Sequence, residues 1–248
     1  MKKLVKRVFE NMGVKIIMKQ RLDFPADMEP EFFEVLSACR QQTMTSAERM
    51  YALYNSIRYL VDNGVAGDVV ECGVWRGGSS MNAAITLQKC GDTTRNMHLY
   101  DTFEGMSAPT DKDISYFDES AEGEWQRSQK QDHNEWCYAP IDLVKKNMTS
   151  TGYPADKLHF IKGKVEDTIP QNMPGDIALL RVDTDWYEST YHILKHLYPK
   201  VVKNGVVILD DYGYWKGARE ATDQFLAEEG LKPLLHRIDA TGRMFVKR

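Results

Sequence analysis

Apolar residues before residue 64 recur at three- and four-residue spacing, which predicts two amphipathic helices. The pattern covers Glu29–Asn63, and Asn63 with Gly64 provides a stop signal. Thr45 or Ser46 is suited to cap the second helix. The apolar positions are Phe32, Phe33, Val35, Leu36, Met50, Leu53, Tyr54, Ile57 and Leu60. We therefore expect residues 1–63 to form a helical cap segment on a domain that covers residues 64–248.

A further amphipathic helix is predicted for Met1–Gln20, which is basic as well as apolar. A signal peptide fits poorly, because Lys15 interrupts the apolar stretch and no small-residue cleavage site follows it. The helix could cover the domain, join a partner subunit of a homo-oligomer or lie on a membrane surface. No stretch approaches the ~20 apolar residues that span a bilayer. We predict a cytoplasmic protein without a membrane span.

Short apolar runs alternate with helical patterns after residue 64, which predicts an α/β fold with a mostly parallel sheet. The predicted strands are Gly67–Val74, Met97–Asp101, Leu158–Ile161, Ile177–Val182 and Val206–Leu209. The predicted helices between and after them are Gly78–Cys90, Ile141–Met148, Trp186–Leu197 and Lys216–Glu228. Two last runs, Leu234–Ile238 and Met244–Val246, read as an antiparallel hairpin whose turn takes an unusual backbone angle at Gly242. The arrangement is Rossmann-like.

Residues 102–137 lack periodicity and are rich in polar and aromatic residues. An unpatterned stretch of this length inside a compact domain is usually functional or disordered. The aromatic residues favour a lid over a ligand rather than a solvated insertion. They are Phe103, Tyr116, Phe117, Trp125 and Trp136.

The composition narrows the function without defining it. With 42% hydrophobic and 27% charged residues, the chain resembles an ordinary globular protein. A formal net charge of -4 argues against non-specific binding of nucleic acid, which is itself a polyanion. The four cysteines are scattered without a Cys-x-x-Cys pair, which is compatible with a reduced cytoplasm.

Ligands of open α/β sheets bind beyond the carboxyl ends of the strands, so the residues that follow each strand are the candidates. Glu71 and Gly73 follow the first strand, but no Gly-x-Gly-x-x-Gly or Gly-Lys-Ser/Thr sequence is present. An acid at position 71 would repel a pyrophosphate and attract a cationic ligand. Asp101 follows the second strand, where it could accept hydrogen bonds from a ribose diol or serve as a cap or turn residue.

Two acidic pairs follow the fourth and fifth predicted strands and give the strongest signal. Asp183 and Asp185 form one pair, and Asp210 and Asp211 form the other. Four carboxylates at one sheet edge would repel one another unless a cation lay among them. Hard oxygen ligands favour Mg²⁺, Ca²⁺ or Mn²⁺. The alternative is that these acids only cap the helices that follow them.

Together these segments resemble the TylF/MycF-type macrocin O-methyltransferases, which methylate sugar hydroxyls of natural products. The resemblance extends from about Thr43 to Lys247. It rests on Gly67–Gly78, Asp101–Gly105, Asp183–Thr190 and Asp210–Gly213. It implies a class I methyltransferase fold with a seven-stranded sheet, S-adenosylmethionine as the cofactor and Mg²⁺ or another divalent cation as the metal.

The resemblance also implies roles for individual residues. Asp183, Asp210 and Asp211 would be the metal ligands, and Asp185 would be the general base. The residues that would bind S-adenosylmethionine are Glu71, Gly73, Ser79, Asp101, Glu166 and Asp183. The expected acceptor is a hydroxyl of a small molecule, with a sugar preferred. An NAD(P)-dependent oxidoreductase, a metal-dependent hydrolase and a binding protein without catalysis remain alternatives on a related sheet.

Overall fold

The computed structural model describes residues 27–248, so the predicted helix Met1–Gln20 lies outside the described residues. The two helices predicted next are present as α1 (Pro30–Cys39) and α2 (Ala47–Asp62). Of the two candidate caps, Ser46 is the cap, because its side chain accepts a hydrogen bond from the backbone N–H of Arg49. Both helices pack against the helix that follows the first strand and bury their apolar faces there.

The sheet has seven strands, in agreement with the expectation from the resemblance. The strands are β1 (Asp68–Cys72), β2 (Met97–Asp101), β3 (Leu158–Lys162), β4 (Ile177–Val182), β5 (Val201–Leu209), β6 (His236–Arg237) and β7 (Arg243–Val246). Their order is β3-β2-β1-β4-β5-β7-β6. The first five pair in parallel, and β7 pairs antiparallel with both β5 and β6. The predicted mostly parallel sheet with a C-terminal antiparallel hairpin is confirmed.

Helices cover both faces of this sheet, as buried parallel strands require. They are α3 (Gly78–Lys89), α4 (Glu122–Ser128), α5 (Ile141–Ser150), α6 (Val165–Thr168), α7 (Tyr187–Leu197) and α8 (Lys216–Glu228). One apolar core lies between the sheet and the layer of α1, α2, α3 and α5. A second core lies between the opposite face and the layer of α7 and α8. The short helices α4 and α6 have no counterpart in the predicted elements.

The strand order reverses direction between β1 and β4, and a crevice forms at such a switch point. The register places Glu71 beside Arg181 and Val182 beside Leu209. Just beyond these pairs, the backbone N–H of Asp183 donates to the carbonyl of Cys72. The ends of β1, β4 and β5 therefore lie side by side, and the acids that follow them converge.

The prediction that the hairpin turn needs an unusual backbone angle at Gly242 is wrong. Its φ angle lies outside the left-handed region, so the turn does not require glycine for that angle. A β-carbon there would instead lie 2.9 Å from side-chain carbons of Arg49. The glycine makes room for Arg49, which reaches over the hairpin toward the end of the sheet.

No helix in the described range 27–248 is long and apolar enough to cross a membrane.

Candidate active site

Two adjoining pockets lie at the carboxyl edge of the sheet. The first, which we call the glycine-loop pocket, is lined by Gly73, Asp101 and Glu166. The second, the acid-cluster pocket, is lined by Arg49 and by five buried or half-buried acids, which we call the acid cluster: Glu71, Asp183, Asp185, Asp210 and Asp211. The two share the walls formed by Met44, Trp75, Cys137, Asp183 and Asp185.

The structure divides the predicted cofactor residues between these pockets. Gly73, Asp101 and Glu166 line the glycine-loop pocket alone. Glu71 and Ser79 line the acid-cluster pocket alone. The remaining residue of the set, Asp183, lies on the shared wall. One ligand in the glycine-loop pocket would therefore not face all six predicted residues.

Gly73 is required where it stands, for reasons of space and of backbone angle. Its φ is 85°, a conformation that side chains other than glycine rarely adopt. A β-carbon would lie 1.8 Å from the carbonyl oxygen of Asp183. The end of β1 can therefore approach the end of β4 closely, which brings the glycine loop and the acid cluster to the same crevice.

Asp101 shapes the glycine loop through backbone contacts. Its Oδ2 accepts the N–H groups of Val74 at 2.6 Å and of Trp75 at 2.9 Å. Its Oδ1 accepts the N–H of Phe103 at 2.6 Å, so the predicted turn role is also present. Burial raises the pKa of this carboxyl, while the three amides oppose that rise. The hydroxyl of Thr102 adds a longer contact to Oδ1 at 3.4 Å, so the loop itself takes the four acceptor positions of this carboxylate.

Thr184 carries an unusual polar atom on the wall of the glycine-loop pocket. Its hydroxyl oxygen is buried and has no hydrogen-bond partner among the described residues. A buried polar group without a partner costs roughly 1–3 kcal/mol. The free energy is recovered where a ligand donates or accepts a hydrogen bond at this oxygen.

Arg181 is the centre of the acid cluster. It extends from β4 with 3% of its side chain exposed and contacts three carboxylates. Its Nη1 donates to Glu71 at 2.7 Å and to Asp183 at 2.5 Å, and its Nη2 donates to Asp210. Arg49 donates to the other oxygen of Asp210. Two guanidinium groups thus neutralise part of this buried negative charge.

Asp183, Asp210 and Asp211 converge as a possible ligand set for a cation. One carboxylate oxygen from each lies within 4.8 Å of those of the other two. Such a set of hard oxygen donors suits Mg²⁺, Mn²⁺ or Ca²⁺. Both oxygens of Asp210 also accept from arginine, so a metal there would share this carboxylate with Arg49 and Arg181.

The pKa values reflect an excess of negative charge. Burial and the neighbouring carboxylates raise the pKa of Asp185 to about 7 and that of Asp210 to about 6. They raise the pKa of Asp211 well above its usual value. With Glu71 and Asp183, five acids surround two arginines, so a further cation would favour the ionised forms.

Asp185 is held from two sides. Its φ is 63°, and its backbone N–H donates to Oδ2 of Asp211 at 3.2 Å. Its Oδ1 accepts the indole N–H of Trp215 at 2.7 Å. It therefore lies on the shared wall with a fixed orientation.

The alternative that these acids only cap helices is wrong. Helix α7 begins after Trp186 and α8 begins after Trp215, and neither N-terminus receives a cap from its own cap side chain. The N–H of Tyr187 instead donates to Asp113, which belongs to the 102–137 insertion. The four carboxylates at the sheet edge instead accept from Arg181, Arg49, the indole of Trp215 and the backbone N–H of Asp185.

Sequence reasoning missed Arg181 and Arg49 as parts of this site. Arg181 carried a usable signal, because an arginine inside the apolar run Ile177–Val182 needs buried carboxylates around it. Arg49 carried none, since it is distant in sequence from Asp210, the acid that it contacts.

Comparison with known proteins identifies the family of the chain. The family model for macrocin O-methyltransferases (TylF) matches residues 36–247. A tetracenomycin rhamnosyl 4'-O-methyltransferase of Streptomyces olivaceus is 33% identical over 200 residues, which are 81% of this chain and 73% of that protein. The mycinamicin III 3''-O-methyltransferase of Micromonospora griseorubida is 31% identical over 202 residues, 81% of this chain and 76% of that protein.

A solved structure supports the same assignment. The O-methyltransferase NovP superposes with a TM-score of 0.72 at 29% sequence identity, over 83% of this chain and 82% of that one. The calicheamicin methyltransferase CalS11 shares the fold at a TM-score of 0.58 and 17% identity, over 92% of this chain and 97% of that one. The chain therefore belongs to the macrocin O-methyltransferase family, whose fold is that of the class I methyltransferases.

Proposed function

We propose that this protein transfers a methyl group from S-adenosylmethionine to a hydroxyl of a sugar or glycoside, with a divalent cation bound at the acid cluster. The observation that carries the proposal is the convergence of Asp183, Asp210 and Asp211 at the end of the sheet, next to a second pocket. The relatives supply the reaction, since they are named for O-methylation of the tetracenomycin rhamnosyl group and of mycinamicin III.

The glycine-loop pocket fits a positively charged cofactor. Its described lining contains Asp101, Glu166, Asp183 and Asp185 but no lysine or arginine. A sulfonium with an ammonium group is attracted by such a wall, whereas the diphosphate of NAD(P) would be repelled. A ribose hydroxyl bound by Asp101 would take the place of the long contact from Thr102, and Thr184 offers its unpartnered oxygen. This charge pattern disfavours the oxidoreductase alternative.

The acid cluster fits a hard divalent cation, which Asp183, Asp210 and Asp211 would hold. When bound, such an ion orients the acceptor hydroxyl and lowers its pKa. Arg181 and Arg49 would keep the carboxylates of Asp183 and Asp210 in place with or without the ion. The excess of acids over arginines supports this assignment.

S-adenosylmethionine, when bound, supplies an electrophilic methyl group that passes to the acceptor oxygen as its carbon–sulfur bond breaks. The acceptor must lose its proton as the new carbon–oxygen bond forms. Asp185 lies on the wall between the two pockets and is the carboxylate proposed to accept that proton. Since methyl transfer is an in-line displacement, most of the rate depends on how these residues position the acceptor.

The acid-cluster pocket is the proposed acceptor site. Arg49 is the one basic side chain in its described lining, and both Asp210 and Asp239 already engage it. An uncharged sugar hydroxyl is therefore a better fit than an anionic group. The 102–137 insertion is proposed to cover this cleft, and the 1–63 segment to cap the domain.

Two further proposals concern the cellular location and the oligomeric state of the protein. The free cysteines of the described chain support a reducing cytoplasmic location. A homo-oligomer through the N-terminal helices remains a proposal, which light scattering on the purified protein would test.

Calorimetry separates the lead function from the oxidoreductase. The purified protein, loaded with Mg²⁺, is titrated with S-adenosylmethionine and, separately, with NAD. The proposal expects saturable heat with S-adenosylmethionine and none with NAD. Binding of NAD without binding of S-adenosylmethionine would overturn it.

A further inference from the structure

The indole of Trp215 makes a contact that the proposed function does not use. Its N–H donates to Oδ1 of Asp185 at 2.7 Å. Trp215 is 6% exposed, so water competes little for its N–H. A hydrogen bond to a charged acceptor in a buried place is stronger than one between neutral groups.

The backbone conformation of Asp185 is also unusual. Asp185 has a φ of 63°, an uncommon angle for a residue other than glycine. The backbone N–H is fixed by Asp211, and the side chain is fixed by Trp215.

The ring of Trp215 is itself immobilised by other aromatic rings. It packs edge-on against Trp186, with ring centroids 5.0 Å apart. Trp136, from the insertion, lies 6.2 Å from Trp215 and 5.6 Å from Trp186. Aromatic pairs at these separations and angles are favourable arrangements.

The insertion also holds the backbone on both sides of the ring. Ser115 forms a β-bridge with Trp215, and the N–H of Lys216 donates to the carbonyl of Ile114 at 2.9 Å. Trp186 donates its indole N–H to the carbonyl of Ser107 at 3.0 Å. The segment 107–116 therefore braces the two turns that carry Asp185 and Trp215.

We infer that Trp215 is a positioning residue, which holds the carboxylate of Asp185 toward the cleft and is held in turn by the 102–137 insertion. The inference rests on the proposed role of Asp185. It assigns the insertion a second role, as a fixed brace for the acid as well as a cover for the cleft.

The test replaces Trp215 with phenylalanine, which keeps a ring and removes the N–H donor. The matched control is Tyr191→Phe, because Tyr191 donates its hydroxyl at 2.6 Å to a carboxylate oxygen of Glu228 and lies in the lining of neither pocket. Turnover, the KM for acceptor and the affinity for S-adenosylmethionine are measured for wild type and both variants. Thermal unfolding of all three shows whether each is folded.

The inference predicts that Trp215→Phe lowers kcat by about 10- to 100-fold, the effect of losing a hydrogen bond to a charged group. KM and cofactor affinity should change by no more than about twofold, well below that loss. Tyr191→Phe should resemble wild type in all three. Equal kcat in the two variants would overturn the inference. A wild-type protein that transfers no methyl group contradicts the proposed function instead.

A second measurement needs neither activity nor a stable Trp215 variant. The chain has five tryptophans, so ¹⁵N-indole labelling gives a spectrum with five indole N–H signals. In Asp185→Ala, one of them should move strongly and exchange faster with solvent. Five unchanged signals would show that the bond is absent and would overturn the inference.

Discussion

The two pockets of the cleft hold their acids with different partners. In the glycine-loop pocket, Asp101 accepts three backbone N–H groups, which are neutral and fixed by the chain. In the acid-cluster pocket, Asp183 and Asp210 are held by guanidinium groups. Backbone amides satisfy one isolated acid, whereas five neighbouring acids exceed the two arginines available.

This difference explains why one pocket suits an organic cation and the other a metal. The carboxylates that line the glycine-loop pocket attract a sulfonium. An overcharged cluster of hard oxygens favours a compact divalent ion. Asp185 lines both pockets, so its carboxylate lies between the proposed cofactor site and the proposed acceptor site.

The largest effect should come from the metal side of the comparison. Asp210→Asn removes a ligand charge and leaves Arg49 and Arg181 without their shared carboxylate partner. Metal-dependent turnover should become undetectable, while calorimetry with S-adenosylmethionine still shows binding. Unchanged turnover in a folded variant would refute the ligand assignment.

A somewhat smaller loss is expected at the wall between the pockets. Asp185→Ala should reduce kcat by about 100- to 10,000-fold, the usual contribution of a general base. Affinity for S-adenosylmethionine should survive, because other residues of the glycine-loop pocket would bind it. If cofactor affinity falls and kcat does not, Asp185 is a binding residue rather than a base.

Stability provides a third test, directed at the centre of the cluster. Arg181→Met leaves three carboxylates without their common partner in a buried place. Breaking a buried ion pair from one side costs about 3–5 kcal/mol of the free energy of unfolding. Urea denaturation measures it, and the exposed pair of Lys195 and Glu229 is the control: Lys195→Met should cost about 0–1 kcal/mol. Equal losses in the two variants would contradict the central role of Arg181.

The smallest effect should appear on the glycine-loop side. Asp101→Asn removes the charge and turns an NH₂ group toward backbone N–H donors of the glycine loop, so affinity for S-adenosylmethionine should fall by about 10-fold, as expected for the loss of one charge-assisted hydrogen bond. The response to Mg²⁺ should stay as in wild type, because Asp101 lies outside the acid-cluster pocket. A shift in Mg²⁺ dependence would show that the two pockets do not act separately.

Sequence patterns captured the strands and the acids after them because both depend on local order. A buried parallel strand is an apolar run, and the residue that follows it lies at the sheet edge in any fold of this type. The convergence of Asp183 with Asp210 and Asp211 follows from the pairing of β4 with β5, so these acids could be predicted together.

The partners of those acids could not be predicted in the same way. Arg49 comes from α2 and reaches Asp210 across 161 residues of sequence. The bond of Trp215 to Asp185 depends on how the insertion packs against α8, and no local pattern encodes that packing. Such contacts depend on tertiary packing, which brings together residues that are far apart in sequence.

The most direct test of the account is mass spectrometry of products. The protein is incubated with S-adenosylmethionine and a panel of sugar nucleotides and glycosides, with Mg²⁺ and with a chelator in its place. The account predicts an acceptor that gains the mass of one methylene group, with the gain lost on chelation and restored by Mg²⁺. Methyl transfer that proceeds equally well after chelation would contradict the role assigned to the acid cluster.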